Sequence, residues 1–415
     1  MRLTPEEQHW LAGEAGPGLR KAIEIVVALG KIYGAEDTVP VESVQIAGVS
    51  YKNLGDAGLA FLHEWAAEGG HVRVPAYLNP AGMDLHDWRK LGIAEDFAHR
   101  QLDVIEALSR MGAVPACSCT PYFIGVRPAL DEHIAWSESS AVSYANSVLG
   151  ARTNREGGPS ALAAAIIGRT ARYGLHLPEN RRADTLLEVH CPVESEADFG
   201  ALGYLIGKQV GNAVPYFRGL SIAPFEQHIP ANTDTHLRAL GAAMAASGAV
   251  ALYHIEGVTP ESCRDNMLRE DARTLRIDSL EAGYAALNST PLAQVDLVSV
   301  GCPHASRDEL LEIADRLRGK RVTTRLWVTT ARATKEAVPH AVEIIEQAGG
   351  LVVADTCLVV APIEALGIRR LATNSAKAAF YAPGHSRVDV RFGTLAQCLE
   401  TAVTGRWPGG PAEVR

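Results

Sequence analysis

The chain is poor in several things, and each shortage removes a class of function. Aromatic residues make up only 6% of its 415 positions. The longest apolar stretches, such as Gly349 to Pro362 with its internal Asp355, fall short of a membrane span. Met1 to Trp10 holds no basic segment followed by an apolar one, so no signal peptide is expected and a cytoplasmic protein is the expectation. Excess positive charge is missing: 39 Lys and Arg stand against 48 Asp and Glu, a net charge of −9. That is the wrong sign for neutralising nucleic-acid phosphates, so neither nucleic acid nor membrane is an expected partner. Cysteines number seven, an odd count without a secretory signal, which argues against a disulfide framework. The chain has no Walker loop, no GxGxxG after a strand, no GxSxG elbow and no CxxC pair. His63-Glu64-Trp65-Ala66-Ala67 lacks the second histidine of a zinc-protease helix, and His133, His190, His254, His304 and His385 are scattered.

What is present reads as an ordinary globular α/β protein. Hydrophobic residues are 47% and charged residues 21%, near globular averages. The length suggests two or three compact units, with a short tail over 406–415. Thr4-Pro5-Glu6-Glu7 is an N-cap with proline at the first helical position, and a second helix pattern runs from Leu19 to Tyr33. Strands are expected over Ser43–Ala47, His71–Val74, Ala113–Cys119, Thr185–Cys191, Ala249–Tyr253, Val295–Gly301 and Val322–Val328, with shorter extended pieces at Leu351–Val353 and Leu358–Val360. Helices are expected over Asp56–Ala67, Asp96–Met111, Ser160–Tyr173, Ala197–Val210, Thr233–Ser247, Ser306–Leu317 and Ala333–Ala348. Such alternation indicates α/β layers with mainly parallel sheets.

In such sheets ligands gather at the carboxyl ends of strands. Cys119, Cys302 and Cys357 all fall there, the first two directly before a turn signal. A thiolate so placed projects into a crevice from a fixed backbone. The alternative is three inert core thiols, since free cysteine is among the most buried residue types. A cluster held by four cysteines is closed and suits electron transfer, whereas one held by three leaves an iron open to act as a Lewis acid. Three polar loops are further candidates. Trp136 to Asn146 continues to Ala151–Ser160, concentrating Arg152, Arg155 and Glu156 beside paired glycines and the start of a helix, a setting for a carboxylate or phosphate. An N-capped surface helix with a salt bridge is the plain alternative. Gly48 to Asn53 follows a strand and offers Ser50, Lys52 and Asn53; Thr373 to Lys377 resembles an N-cap and a helix start. Asn79-Pro80-Ala81-Gly82 is a turn first and a ligand loop second.

Together, Ile46-Ala47-Gly48-Val49-Ser50-Tyr51-Lys52-Asn53, Cys119-Thr120-Pro121-Tyr122, Trp136 to Asn146, Gly150 to Ser160, Gly301-Cys302-Pro303-His304 and Thr373-Asn374-Ser375-Ala376-Lys377 resemble the large subunit of aconitase X, over about residues 1 to 405. The resemblance implies a layered α/β/α architecture and an iron–sulfur dehydratase. Its cluster would be held by Cys119, Cys302 and Cys357, with Cys117 the competitor for the first place. Two activities are implied: dehydration of mevalonate 5-phosphate by a two-chain enzyme, or of cis-3-hydroxy-L-proline, often by a fused chain. No small domain follows Pro408, so the two-chain type is expected, with a separate small subunit that contributes a serine. Candidate catalytic residues are Ser50, Lys52, Glu138 and Ser139. Candidate substrate contacts are Asn53, Asn79, Asn146, Arg152, Asn154, Arg155, Glu156, Ser375 and Lys377. The reading from another class is a non-catalytic subunit that only binds a partner.

Overall fold

A computed structural model describes residues 1–222, 231–289 and 294–408. Most of the tail expected at 406–415 lies outside the described residues. Three parallel sheets organise the chain, as the alternating pattern requires. The first has the order Ala76–Leu78, Val44–Ile46, Ala135–Trp136, and a small antiparallel pair, Thr38–Pro40 with Arg169–Ala171, flanks it. The second has the order His254–Ile255, Pro215–Arg218, Ala183–Val189, Leu268–Ile277. The third has the order Leu351–Ala354, Leu326–Thr330, Leu297–Ala305, Arg370–Thr373, Asp389–Phe392. Among the described residues no helix is long and apolar enough to cross a membrane.

Local chemistry starts and stops the helices where the sequence says. Thr4 and Glu7 form a reciprocal capping box at 3.2 and 2.7 Å over helix Pro5–Leu11, and Ser306 with Glu309 does the same for Arg307–Leu317. Helix Gly158–Ile167 is buried from Ser160 to Ile167, so it runs through the interior. Its first turn passes so close to the strand end at Ala47 that a Cβ on Gly158 would sit 2.7 Å from the Ala47 carbonyl oxygen. Only glycine fits there. One large apolar cluster runs from Met83 through Trp136, Tyr144, Phe217, Cys302 and Leu358 to Phe392, so residues from all three sheets share a core.

Several expected elements are displaced, each for a backbone reason. His71–Val74 is not a strand, because Val72 and Arg73 give their N–H groups to the carbonyls of Met111 and Ala165; the strand begins after Pro75, at Ala76. Ala113–Cys119 is not a strand: it joins the first sheet through an isolated bridge from Val114 to Tyr77 and one later bond from the Ser118 N–H to the Leu78 carbonyl. Pro115 lacks a donor and Cys117 turns to φ 44°, so no ladder continues. The helix expected to reach Tyr173 stops at Ile167, where Gly168 takes φ 69°, and the chain becomes a strand at Arg169. Ala249–Tyr253 is not a strand either; Ala249 has φ 62° and pairing waits until His254. Val338-Pro339 splits the helix expected over Ala333–Ala348 into Arg332–Ala337 and Pro339–Gln347. Leu358–Val360 is a turn, and the Val360 and Ala361 amides return to the Cys357 carbonyl. The polar loop ending at Asn53 instead enters helix Tyr51–Ala67, broken at Gly55.

Candidate active site

The three cysteines lie near enough to sense one another's charge, but they do not all close strands as expected: no strand leads into Cys119, Cys302 lies inside one, and only Cys357 follows one. Cys119 follows Ser118, whose N–H bonds the Leu78 carbonyl of the first sheet at 3.1 Å and whose carbonyl accepts from Gln45 Nε2 at 3.0 Å. Cys302 lies inside strand Leu297–Ala305 where the register slips between Val300 and Ala305. The slip needs Gly301: its φ is 86°, and a Cβ there would fall 2.2 Å from the Thr329 carbonyl oxygen. The Cys302–Pro303 peptide is cis. Cys357 follows strand Leu351–Ala354 after Asp355, itself at φ 63°. All three thiols are buried, and Cys119 feels the charge of both others. The His304 N–H donates to Cys119 Sγ at 3.2 Å, and the Ser375 hydroxyl bonds the Cys302 thiol.

Among the described residues no three His, Cys, Asp or Glu side chains stand close enough to hold a single metal ion. Three buried thiols that sense one another's charge, with a lysine ammonium acting on each, are the donor chemistry that a group with three thiolate ligands needs. Burial pushes all three up from the usual thiol range, Cys357 to about 12 with Cys302 adding to the effect. The Lys377 ammonium opposes this at each sulfur and so favours thiolates. Cys117, the competitor, has different surroundings: its thiol meets the Ala81 amide and senses Asp355 and Arg332, not Lys377.

A buried ion pair lies beside the sulfurs. Lys377, on the first turn of helix Ala376–Ser386, pairs with Glu138, the N-cap of helix Ser139–Tyr144. Burial alone would raise the Glu138 carboxyl, but the Lys377 charge and hydrogen bond, the Ser140 hydroxyl and the Ala141 amide hold it at about 2. Lys377 is likewise held above its ordinary value, against desolvation, by Glu138 and then by Cys302 and Cys119. Its Nζ also reaches Ser140 Oγ at 3.3 Å, and Ser139 Oγ donates to Glu138 at 3.3 Å. Ser375 caps the Lys377 helix by accepting from Ala378 at 3.1 Å. Asn79 follows strand Ala76–Leu78; its N–H bonds the Ile46 carbonyl, and its buried Oδ1 has no partner. A fixed cation, a fixed carboxylate and several hydroxyls therefore ring the sulfurs, which is the equipment for holding an anionic ligand and moving a proton.

Other sequence candidates stand elsewhere. Ser50 Oγ donates to the Val360 carbonyl at 2.9 Å, three residues beyond Cys357. Lys52 is tied to Glu364 at 2.8 Å, Ala361 O at 3.1 Å and Ser386 at 3.1 Å, and Asn53 is exposed. Asn146 spends its amide on Thr153, Ala251 and Arg181, and Asn154 spends its own on Tyr173 and Leu175. Arg152 pairs with Asp131 at 2.7 Å. Glu156 is buried between the Ser160 and Thr170 hydroxyls, its carboxyl raised by desolvation. Arg155 is exposed. The arginine-rich loop is thus largely structural bracing, apart from Arg155.

Sequence reasoning missed four groups. His304 is one of the scattered histidines, yet its Nε2 bonds Thr356 O at 2.9 Å beside Cys357; burial holds it neutral, near 4. Arg238 is buried, with Nη1 on the carbonyls of His304 at 2.7 Å and Pro303 at 3.3 Å. Tyr122 stacks on Tyr144 at 3.9 Å between centroids. Glu196 accepts from Asn374 at 2.7 Å, and burial, then Glu309, push its carboxyl up. It lines a cavity of about 410 Å³ with Glu309, Glu312 and Thr394. His304 and Tyr122 carried a local signal, their places in Gly301-Cys302-Pro303-His304 and Cys119-Thr120-Pro121-Tyr122; Arg238 and Glu196 carried none.

The comparisons with known proteins agree with this geometry. The models for the aconitase X first, second and third domains match residues 1–179, 183–291 and 295–404. The chain is 47% identical over 409 residues to the phosphomevalonate dehydratase large subunit of Methanosarcina mazei, covering 98% of both. To that of Methanocaldococcus jannaschii it is 48% identical, covering 96% of this chain and 100% of the relative. A cis-3-hydroxy-L-proline dehydratase of Pseudomonas aeruginosa is 36% identical, over 99% of this chain and 71% of that one. The crystal structure of Thermococcus kodakaraensis aconitase X in its holo-form superposes with a TM-score of 0.88 at 44% identity, over 97% of this chain and 100% of that one. The chain belongs to the aconitase X family.

Proposed function

We propose that this chain is the large, catalytic subunit of a phosphomevalonate dehydratase, a hydro-lyase that works with a separate small subunit in the cytoplasm. The domain models suggest three α/β units, all contributing to one catalytic region. Cys119, Cys302 and Cys357 hold an iron–sulfur cluster by three thiolates. The observation that carries this reading is that three buried thiols far apart in sequence sense one another's charge, beside a buried lysine that offsets it. When bound, such a group supplies a Lewis-acidic iron that polarises the leaving hydroxyl.

The chain's own residues do the rest. Lys377, fixed by Glu138, offers an ammonium to the substrate carboxylate in a site shielded from water, where a charge-assisted bond is strong. Ser139 and Ser375 supply hydroxyls at the same rim. Arg155, exposed and outside the buried bracing, is the candidate contact for the distal phosphate. Ser50, bonded to the Val360 carbonyl beyond Cys357, and Asn79, whose buried Oδ1 is unpartnered, are further candidate contacts. The proton leaves the carbon next to the carboxylate toward a base that the small subunit completes. Sequence identity favours the phosphorylated substrate over hydroxyproline, 47% against 36%.

The test is anaerobic co-purification with the small subunit, followed by mevalonate 5-phosphate and cis-3-hydroxy-L-proline in separate assays. The expected result is a brown complex that forms an alkene from the first. Turnover of hydroxyproline alone would reassign the substrate. A colourless chain after reconstitution with iron and sulfide would sink the cluster.

A further inference from the structure

We infer that Arg332 is a positioning residue that fixes Cys357 against the other two sulfurs, through a buried clasp between the first and third sheets. The inference rests on the cluster reading above. Asp84 lies in the loop after strand Ala76–Leu78, and Asp355 follows strand Leu351–Ala354. The two carboxylates share one guanidinium nitrogen: Arg332 Nη2 bonds Asp84 Oδ1 at 2.6 Å and also Asp355 Oδ2. Each carboxylate then reaches across to the other segment. Asp84 Oδ2 accepts from the Ala354 amide at 2.9 Å, and Asp355 Oδ2 accepts from the Leu85 amide at 3.2 Å. The Asp355 carbonyl accepts from Ala81 at 2.8 Å, and Ala81 bridges Thr356. Asp84 and Asp355 are nearly inaccessible, at 1% and 4% side-chain exposure.

This arrangement explains a backbone feature that burial alone does not. Asp355 sits at φ 63°, a conformation costly for a residue with a Cβ, two positions before Cys357. Packing must hold it there, and the Arg332 bonds and the Leu85 amide do so. From Asp355 the chain of contacts reaches all three sulfurs in short steps. The Thr356 carbonyl bonds His304 Nε2 at 2.9 Å; His304 follows Cys302-Pro303; and the His304 amide donates to Cys119 Sγ at 3.2 Å. Arg332 touches no sulfur itself. The two sides of the clasp carry different ligands: the Asp84 loop leads back to Leu78, which holds Ser118 next to Cys119, whereas Asp355 leads to Cys357. Loosening the clasp therefore widens the sulfur triangle without removing a ligand.

The experiment uses Arg332→Met and Arg332→Lys in the full chain, with Val27→Ala in the distant N-terminal core as a stability control. Each variant is checked by circular dichroism and gel filtration, then reconstituted anaerobically and assayed for iron, sulfide, visible absorption and the rate of iron loss to a chelator. The expected result is a folded Arg332→Met chain that loses iron roughly ten- to a hundredfold faster than wild type, the range typical for groups that orient metal ligands. Arg332→Lys, which keeps the charge but not the fork, should fall between, with an altered electron paramagnetic resonance signal of the cluster; it carries the test if the methionine variant does not fold. Val27→Ala should be less stable yet hold iron as wild type does. Iron loss and spectrum unchanged in a folded Arg332 variant overturn the inference, as does equal lability in Val27→Ala. A wild-type chain that takes up no iron overturns the cluster reading as well, so the two failures are distinguishable.

Discussion

At the scale of single residues, charge decides what the site can do. Lys377 faces Glu138 with little water around either, and a buried pair punishes the loss of one partner more than the loss of both. Lys377→Met is therefore expected to cost about 3–5 kcal/mol of stability and to reduce kcat/KM by about 10²-fold or more. Pairing it with Glu138→Gln should restore much of the stability, read from urea unfolding, but none of the activity. A second residue-scale prediction concerns His176, whose Nδ1 meets His133 Nδ1 at 2.9 Å. Burial, then His133 and Arg181, hold it neutral, with its pKa lowered to about 3. Its folded pKa lies below the unfolded one near 6.5, so the unfolded chain binds the extra proton first. Stability is then full above about pH 6.5 and falls as the pH drops from there toward 3. Urea midpoints at pH 7 and pH 5 should differ in that direction, and His176→Asn should flatten the difference; a slope unchanged by the substitution would exonerate His176.

At the scale of elements, the site depends on irregularities in otherwise regular strands. The strand carrying Cys302 pairs in register up to Val300, then slips before Ala305. Gly301 makes the slip possible, since any side chain would collide with the Thr329 carbonyl. Gly301→Ala must both relieve that collision and pay for a positive φ, so it should destabilise the chain by more than about 1 kcal/mol and lower iron uptake after reconstitution. Normal iron content in Gly301→Ala would show that Cys302 does not depend on the slip. Period and caps in the sequence announced most helices, because capping boxes such as Thr4 with Glu7 are local bonds. Strand limits were less legible. His71–Val74 and Ala249–Tyr253 have strand composition, but their amides found partners outside any ladder or their backbone turned to positive φ.

At the scale of the whole molecule, buried ion pairs join parts that the sequence leaves unconnected. Arg181, just before strand Ala183–Val189, pairs with Glu261, the two exposing 1% and 3% of their side chains; its Nη atoms also reach Asn146 and the Leu175 carbonyl. Glu261→Gln leaves that guanidinium buried without a counter-charge, at a cost of about 3–5 kcal/mol. The loss should appear as a lower midpoint in chemical unfolding, and an unchanged midpoint would mean that the pair is replaceable. The same network explains why the arginine-rich loop misleads a reader of the sequence. Asn146, Arg152 and Asn154 carry the residue types of an anion site, yet Arg181, Asp131 and backbone groups distant in sequence already use them.

The sequence by itself determined the α/β class and the parallel layering, because periodicity, turn residues and caps act over a few neighbouring positions; it set three cysteines at strand ends, yet no strand leads into Cys119 and Cys302 lies inside one. It could also mark Ser375 and Lys377 as polar residues at a helix start, and Glu138 as part of a polar loop that the structure shows to begin a helix. Only the tertiary structure decided that these helix starts face the same sulfurs, that Cys117 has different surroundings, and that His304, Arg238 and Arg332 brace the loops around them. Those decisions rest on contacts between residues tens to hundreds of positions apart. Such contacts depend on how the three sheets pack, a property that no short stretch of the chain contains.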